Sequence, residues 1–138
     1  DSIQAAVLNA KLPHLNEYIA ARQKAAATYD KAFAGNKHII TPVHFASSTH
    51  VFHQYTLKLV GVDRNAVQAK LKEKNVPAMI YYPVPLHLQK AYQDPRYKAG
   101  DFPVAEKLSA CVLSLPMHTE LDDEQMNYIT SAVLEAVK

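Results

Sequence analysis

The sequence has few of the residues that build several common kinds of functional site. Among its 138 residues are three glycines, one cysteine and no tryptophan. A single cysteine, Cys111, excludes an internal disulfide framework and favours a reducing compartment. Three isolated glycines cannot form the glycine-rich loop that cradles phosphate groups in many nucleotide-binding proteins. The sequence therefore indicates neither a disulfide-stabilised secreted module nor a phosphate-binding loop.

Charge and hydropathy exclude two further classes of partner. The formal net charge is +2, with acidic and basic residues interspersed, so no basic field favours nucleic acid. No apolar run approaches the roughly 20 residues that a membrane-spanning helix requires. The N-terminal residues do not resemble a secretory signal. We therefore expect a cytoplasmic globular protein with no nucleic-acid or membrane partner.

Seven histidines raise the question of a metal site. Only His50 and His53 are close in sequence, and on a strand a spacing of three directs their rings to opposite faces. No cysteine pair and no H-E-x-x-H helix accompanies them. Scattered surface and polar-core histidines are therefore favoured over a metal centre. Ser47 and Cys111 likewise lack the sequence context of a catalytic nucleophile.

The hydrophobic pattern predicts one α+β domain. A helical pattern covers residues 2–34 and is interrupted at Pro13. Alternating apolar residues predict a strand over residues 50–60, with His53 and Tyr55 on the face of Leu57 and Leu59. The other expected elements are a short strand after Gly35, a helix from Asp63 to about Lys74, an extended segment over 77–82, a short helix over 87–92, a helix over 102–112, a strand over 113–116, and a last helix capped by Asp122 with Gln125. We expect helices to cover one face of a small, largely antiparallel sheet.

Residues 79–92, M-I-Y-Y-P-V-P-L-H-L-Q-K-A-Y, form the least usual segment. Pro83 and Pro85 lack a backbone N–H and push the residues before them toward extended conformations. Aromatic and imidazole side chains flank this rigid loop and the predicted sheet edge. They are either amphipathic residues with a buried body and a hydrogen-bonded tip, or one wall of a polar-ligand pocket. These candidate site residues are Tyr81, Tyr82, His53, Tyr55 and His87.

Several sequence blocks together resemble one protein family. The blocks include S-I-Q-A-A-V-L-N-A-K-L-P-H, H-V-F-H-Q-Y-T-L-K-L, Y-Y-P-V-P-L-H, G-D-F-P-V-A-E and L-S-L-P-M, in this order and over essentially the whole chain. Their combination is similar to the C-terminal part of the DegT/DnrJ/EryC1/StrS aminotransferases. These enzymes use pyridoxal phosphate to transfer an amino group to a keto-sugar carried on a nucleotide. The resemblance implies a role in cell-surface polysaccharide or modified-sugar biosynthesis.

The resemblance also implies a domain organisation. Residues 1–138 would be the small C-terminal domain of the aspartate-aminotransferase-like fold. In such enzymes a large domain carries the Schiff-base lysine, the acidic partner of the pyridine nitrogen and most phosphate contacts, and none of these is found here. We therefore expect no catalytic residue, no bound pyridoxal phosphate and no activity in this chain alone. The start at Asp1, inside a predicted helix, fits a piece of a longer protein.

The implied partners are the large domain of the same polypeptide, a second subunit in a homodimer, and a nucleotide-linked keto-sugar, with glutamate as amino donor. The small domain would close the substrate side of the site, with contacts from Tyr81, Tyr82, His53, Tyr55 and His87. Within the family, the general likeness is to enzymes that aminate a 3-keto derivative of a nucleotide-linked glucuronic acid. Family members often have His-Tyr-Pro at positions 81–83, so a role of that histidine does not carry over to Tyr81. The alternative hypothesis is an autonomous, non-catalytic module that binds nucleotide-sugars or mediates dimerisation.

Overall fold

The computed structural model describes residues 1–138 as five α-helices around a three-stranded sheet. The strands pair antiparallel in the order β1-β2-β3, which confirms the predicted α+β class and antiparallel sheet. None of the helices is long and apolar enough to cross a membrane. The helices are α1 (Ser2–Lys11), α2 (Leu15–Phe33), α3 (Arg64–Glu73), α4 (Pro103–Cys111) and α5 (Asp123–Ala136), and the strands are β1 (Ile39–Ile40), β2 (Tyr55–Leu59) and β3 (Val112–Leu115).

The N-terminal helical region is divided as the proline predicts. A short 3₁₀ turn, Leu12–His14, separates α1 from α2, because Pro13 has no N–H to continue the α-helical hydrogen bonds. The helix α2 ends at Phe33, and Gly35 follows with a positive φ of 74°. The two helices differ in packing: α2 buries four residues, whereas α1 buries none.

The core lies between one face of the sheet and three helices. The central strand β2 places Tyr55 opposite Leu115 and Leu57 opposite Leu113 in the antiparallel register. Side chains from α2, α3 and α5 complete the same buried cluster. The largest fully buried members are Tyr29, Phe33, Tyr55, Leu57, Val67, Leu71, Val76, Leu113, Val133 and Val137. On the opposite face of the sheet, the hydroxyls of Thr56 and Ser114 form a hydrogen bond of 2.8 Å.

The predicted strand over residues 50–60 is correct only for its second half. The strand β2 begins at Tyr55, and both Val51 and His53 are exposed. Phe52 is buried instead and has a left-handed φ of 49°, a conformation that an extended strand cannot contain. The period of two is therefore broken at Phe52, so the prediction that His53 shares the buried face of Tyr55 is wrong.

Helix caps are the best-predicted local features. Asp122 accepts a hydrogen bond from the backbone N–H of Gln125, whose side chain bonds back to the N–H of Asp122 in a capping box. Asp63 caps α3 in the expected way. The helix α4 and the strand β3 lie within one residue of their predicted bounds.

One prediction around the proline loop needs correction. The expected helix over residues 87–92 is a pair of 3₁₀ turns, because Gln89 between them is extended with a ψ of 133°. The segment over 77–82, predicted to be extended, contains no helix and joins the sheet at one bridge, between Met79 and Ser114. Cys111 is free and only partly buried at the end of α4.

A buried cation fixes the C-terminal end of α4. The guanidinium of Arg64, at the start of α3, donates to the carbonyl oxygens of Ser109 at 3.0 Å and Val112 at 3.1 Å. Carbonyl groups at a helix C-terminus carry partial negative charge and lack intrahelical partners. Arg64 therefore satisfies them and joins α4 to the body of the domain.

Tyr29 and Tyr55 should stay protonated as long as the domain is folded. Burial raises the pKa of both hydroxyls above the ordinary value of 10.0. The stabilisation that the protonated hydroxyls give the folded state is complete below the ordinary pKa, and it is lost as the pH rises through the pKa of the folded state. Ultraviolet titration should therefore leave two of the eight tyrosines un-ionised until circular dichroism reports loss of the helices. Complete ionisation in a protein with a native dichroism spectrum would contradict this assignment.

Candidate functional site

The loop that begins at Tyr81 presents two aromatic hydroxyls at the surface. Tyr81 is 41% exposed and Tyr82 is 72% exposed, and their rings meet edge to face at 5.9 Å. The peptide bond between them is cis. Just before them, Met79 pairs with Ser114, which attaches the loop to the edge of the sheet. The prolines that follow fix φ at two positions, so the two tyrosines lie on a short and conformationally restricted connection.

Tyr81 is shared by two concave surfaces. One is a concavity of about 220 Å³ whose wall includes His53, Met79, Tyr81 and Pro116. The other, of about 570 Å³, is lined mainly by apolar side chains and lies against α4. Its wall includes Tyr81, Tyr82, Val84, Leu86, Tyr92, Leu108 and Val112. The structure thus brings His53 and Tyr81 together at one concavity, and Tyr81 and Tyr82 together at the other.

His53 is held near Tyr81 by contacts from α2. The guanidinium of Arg22 donates to the carbonyl oxygens of Phe52 at 3.3 Å and His53 at 3.2 Å. The side-chain amide of Gln23 donates to the carbonyl of His50 at 3.0 Å. The His53 ring itself makes no hydrogen bond within the chain and is exposed. Arg22 was not predicted, because its contacts join residues about 30 positions apart and leave no local sequence signal.

Tyr55 does not face either concavity. Its side chain is 0% exposed, and its hydroxyl donates to Asp30 Oδ1 at 2.6 Å. The other oxygen of Asp30 lies 2.8 Å from Nε2 of His44. Burial and the bond to Asp30 both raise the pKa of Tyr55. Tyr55 therefore matches the alternative of a buried body with a hydrogen-bonded tip, and its contact with a substrate stays a prediction.

His87 is directed into the domain. Its side chain is only 8% exposed, and Nε2 lies 3.0 Å from Oε1 of Glu106. The imidazole packs against Phe102, with ring centroids 4.7 Å apart. Glu106 was not among the predicted residues, although it belongs to the G-D-F-P-V-A-E block quoted above. The predicted contact between His87 and substrate stays a prediction.

No group of three or more histidine, cysteine, aspartate or glutamate side chains is arranged to hold a metal ion. His50 Nδ1 accepts the backbone N–H of Phe52 at 2.8 Å, whereas the ring of His53 lies in the wall beside Tyr81. The two histidines that are closest in sequence therefore make different contacts in the connection that precedes β2.

The residues of this chain do not fit pyridoxal phosphate. A Schiff-base lysine needs an enclosed site that lowers its pKa, but every lysine here is exposed except Lys74. Lys74 pairs with Glu135 at 2.7 Å, which raises the pKa of the lysine. The glycines lie singly in turns, with no phosphate cradle. No lysine in this chain is therefore suited to bind the cofactor.

Chemical modification should separate the exposed candidates from the buried one. Tetranitromethane nitrates accessible tyrosine rings, so Tyr82 should react readily, whereas Tyr55 should react only after unfolding in urea. Peptide mass spectrometry of the folded and unfolded protein would measure both. Nitration of Tyr55 in a protein with native circular dichroism would contradict its placement in the core.

Comparison with known proteins gives the family. The model of the DegT/DnrJ/EryC1/StrS aminotransferase family matches residues 1–134. Among curated relatives, a protein of Geobacillus stearothermophilus named "Pleiotropic regulatory protein" is 42% identical over 98% of this chain and 36% of its own length. The UDP-2-acetamido-2-deoxy-3-oxo-D-glucuronate aminotransferase of Pseudomonas aeruginosa is 40% identical over 96% of this chain and 35% of its own length.

Solved structures agree with this result. DesV of S. venezuelae, solved in complex with a ketimine intermediate, superposes with a TM-score of 0.91 at 32% identity. A DegT/DnrJ/EryC1/StrS aminotransferase from Brucella abortus superposes with a TM-score of 0.86 at 34% identity. Each alignment covers 98% of this chain, and the chain spans about a third of the length of the relatives it matches. The chain belongs to the DegT/DnrJ/EryC1/StrS aminotransferase family.

Proposed function

We propose that this chain is the small domain of a longer, pyridoxal-phosphate-dependent aminotransferase that acts on a nucleotide-linked keto-sugar. The observation that carries the proposal is the likeness along 96% of the chain to a protein named as a UDP-2-acetamido-2-deoxy-3-oxo-D-glucuronate aminotransferase. That protein and DesV are each about three times as long as this chain. The cofactor and its lysine are therefore assigned to the rest of the polypeptide, since no lysine here is suited to bind them.

In this proposal the chain supplies one wall of the substrate site. Tyr81 and Tyr82 present hydroxyls that can donate hydrogen bonds to a sugar, and aromatic faces that can pack against it. His53 lies in the same wall as Tyr81 and offers ring nitrogens free of partners in the chain. Glutamate is the proposed amino donor, and the product is an amino sugar for polysaccharide or modified-sugar biosynthesis in the cytoplasm.

The exposed face of α1 supports a larger partner. This helix buries none of its residues within the chain, although it carries several large apolar side chains. The exposed apolar residues of α1, the turn after it and the first position of α2 are Ile3, Val7, Leu8, Leu12 and Leu15. Such a patch indicates a surface that is normally covered. We assign it to the large domain of the same polypeptide, and we propose that the full protein is a homodimer.

The natural gene product tests this proposal directly. Its intact mass should be well above the 15.4 kDa of this chain, and borohydride should fix the cofactor to a lysine outside residues 1–138. With ¹⁵N-glutamate and a UDP-linked 3-keto-sugar, the label should appear on the sugar. A protein of 15.4 kDa, without a cofactor spectrum and without transfer of label, would overturn the proposal.

The assigned wall has its own test. Tyr82→Phe and Tyr81→Phe should each raise KM for the keto-sugar by about 3- to 10-fold, because each removes one hydrogen bond to the substrate. The half-reaction with glutamate should not change. Tyr128→Phe is a matched control, since its hydroxyl donates to the carbonyl of Lys74 on another surface. An unchanged KM in both loop variants would remove the tyrosines from the site.

A second candidate function is favoured by the name of one relative. The 42%-identical protein of Geobacillus stearothermophilus carries a regulatory name and not an enzymatic one. A non-catalytic protein that binds a nucleotide-sugar would match that name. It would show binding of UDP-sugar by calorimetry, with no transfer of label from glutamate.

A further inference from the structure

The segment that carries Tyr81 and Tyr82 has little hydrophobic anchorage, because Ile80 is its one side chain that packs against the core and is only partly buried. Every residue from Met79 to Cys111 is exposed or only partly buried, although the segments on both sides contribute to the core. A loop with few buried apolar contacts opens at low free-energy cost. Beside the packing of His87 against Phe102, polar contacts therefore fix the position of this loop relative to α4.

One carboxylate makes most of those contacts. Oxygens of Glu106, in the first turn of α4, accept the backbone N–H of Gly100 at 2.8 and 3.1 Å and that of Phe102 at 3.4 Å. Oε1 also lies 3.0 Å from Nε2 of His87. The Gly100 N–H is the main cause of the lowered pKa of Glu106, and the His87 bond lowers it further. Because the ionised carboxylate can only accept, Nε2 of His87 is the donor.

The position of His87 constrains the positions of the two tyrosines, which lie a short distance earlier in the chain. The N–H of Leu88 donates to the carbonyl of Pro85 at 2.9 Å, and the Gln89 side chain donates to the carbonyl of Val84 at 3.2 Å. These bonds fold residues 84–89 into one compact turn. Pro83 and Pro85 restrict the backbone between this turn and Tyr82. Fixing the ring of His87 therefore limits where both tyrosines can lie.

We propose that His87 and Glu106 are a positioning pair, which holds Tyr81 and Tyr82 in the geometry that binds the substrate. The inference rests on the proposed function, because it gives the pair a role toward the same ligand. It differs from the sequence-based expectation in assigning His87 to the support of the loop and not to contact with the sugar. A purely stabilising pair would leave the affinity for substrate unchanged.

The test compares variants of the natural gene product that contains this chain. Glu106→Ala and His87→Ala each break the pair, and the double variant measures coupling between them. Glu106→Gln is the conservative variant: its amide oxygen can still accept from Gly100, while its NH₂ can donate to the other tautomer of His87. Glu17→Ala is the matched control, since the exposed carboxylate of Glu17, in the first turn of α2, forms the same type of pair with the exposed ring of His14 at 3.2 Å.

Hydrogen exchange and kinetics are read on the same samples. In Glu106→Ala and His87→Ala, amides of residues 81–92 should exchange about tenfold faster, and KM for the keto-sugar should rise about tenfold, as expected for loss of a charge-assisted hydrogen bond. The half-reaction with glutamate should be unchanged, the double variant should be no worse than either single variant, and Glu106→Gln should recover part of both effects. Faster exchange with an unchanged KM would overturn the proposal, as would unchanged exchange.

Failure of the proposed function is distinguishable from failure of the pair. If the wild-type protein binds UDP-sugar but transfers no amino group, the aminotransferase proposal fails, and the Kd for UDP-sugar replaces KM as the readout. An increased Kd in both alanine variants, but not in Glu17→Ala, would still support the positioning pair. A Kd equal to that of the wild type would reject it.

Discussion

The buried hydroxyl of Tyr55 joins the central strand to the longest helix, and the rest of the fold depends on this junction. It donates to Asp30 of α2, while Tyr29 on the same helix donates to the carbonyl of Pro116 at 2.8 Å. Two tyrosines therefore connect α2 to both β2 and the end of β3. Each hydroxyl has a hydrogen-bond partner within the chain, so its burial leaves no polar atom unpaired. Pro116, whose carbonyl accepts from Tyr29, lies with Met79 and Tyr81 around one concavity.

Two kinds of interaction hold the domain together, in different parts of the chain. The sheet and α2, α3 and α5 share one apolar cluster, so their relative positions are fixed by packing. The segment between Met79 and Cys111 is held mainly by polar contacts at the two ends of α4. Glu106 makes those near the start of the helix, and Arg64 makes those near its end. Directional hydrogen bonds can fix a loop that has little area to bury. They also leave the aromatic rings of Tyr81 and Tyr82 exposed, whereas a hydrophobic anchor made from those rings would cover them.

The sequence predicted the features that have local signals. The start of α3 was predicted from Asp63, and the start of α5 from Asp122 with Gln125. The break between α1 and α2 was predicted from Pro13. The family was identified from sequence blocks, and the comparisons confirm it. The failures came from tertiary contacts. Phe52 turns left-handed and enters the core, so His53 leaves the face that periodicity assigned to it. The inward direction of His87 depends on Glu106, 19 positions away, and no local pattern contains that information.

The geometry also explains why the candidate wall is incomplete in this chain. Pockets that bind small molecules usually bury most of the ligand surface, whereas Tyr81, Tyr82, His53 and Met79 are all exposed here. A nucleotide-sugar laid against them would be covered on one side only. The uncovered apolar face of α1 is the surface that we propose the large domain covers. A partner seated on α1 would stand beside the concavity that Lys11, Leu15 and His53 line together. The same partner would therefore cover the apolar helix and bring its own residues to the side of the site where His53 lies.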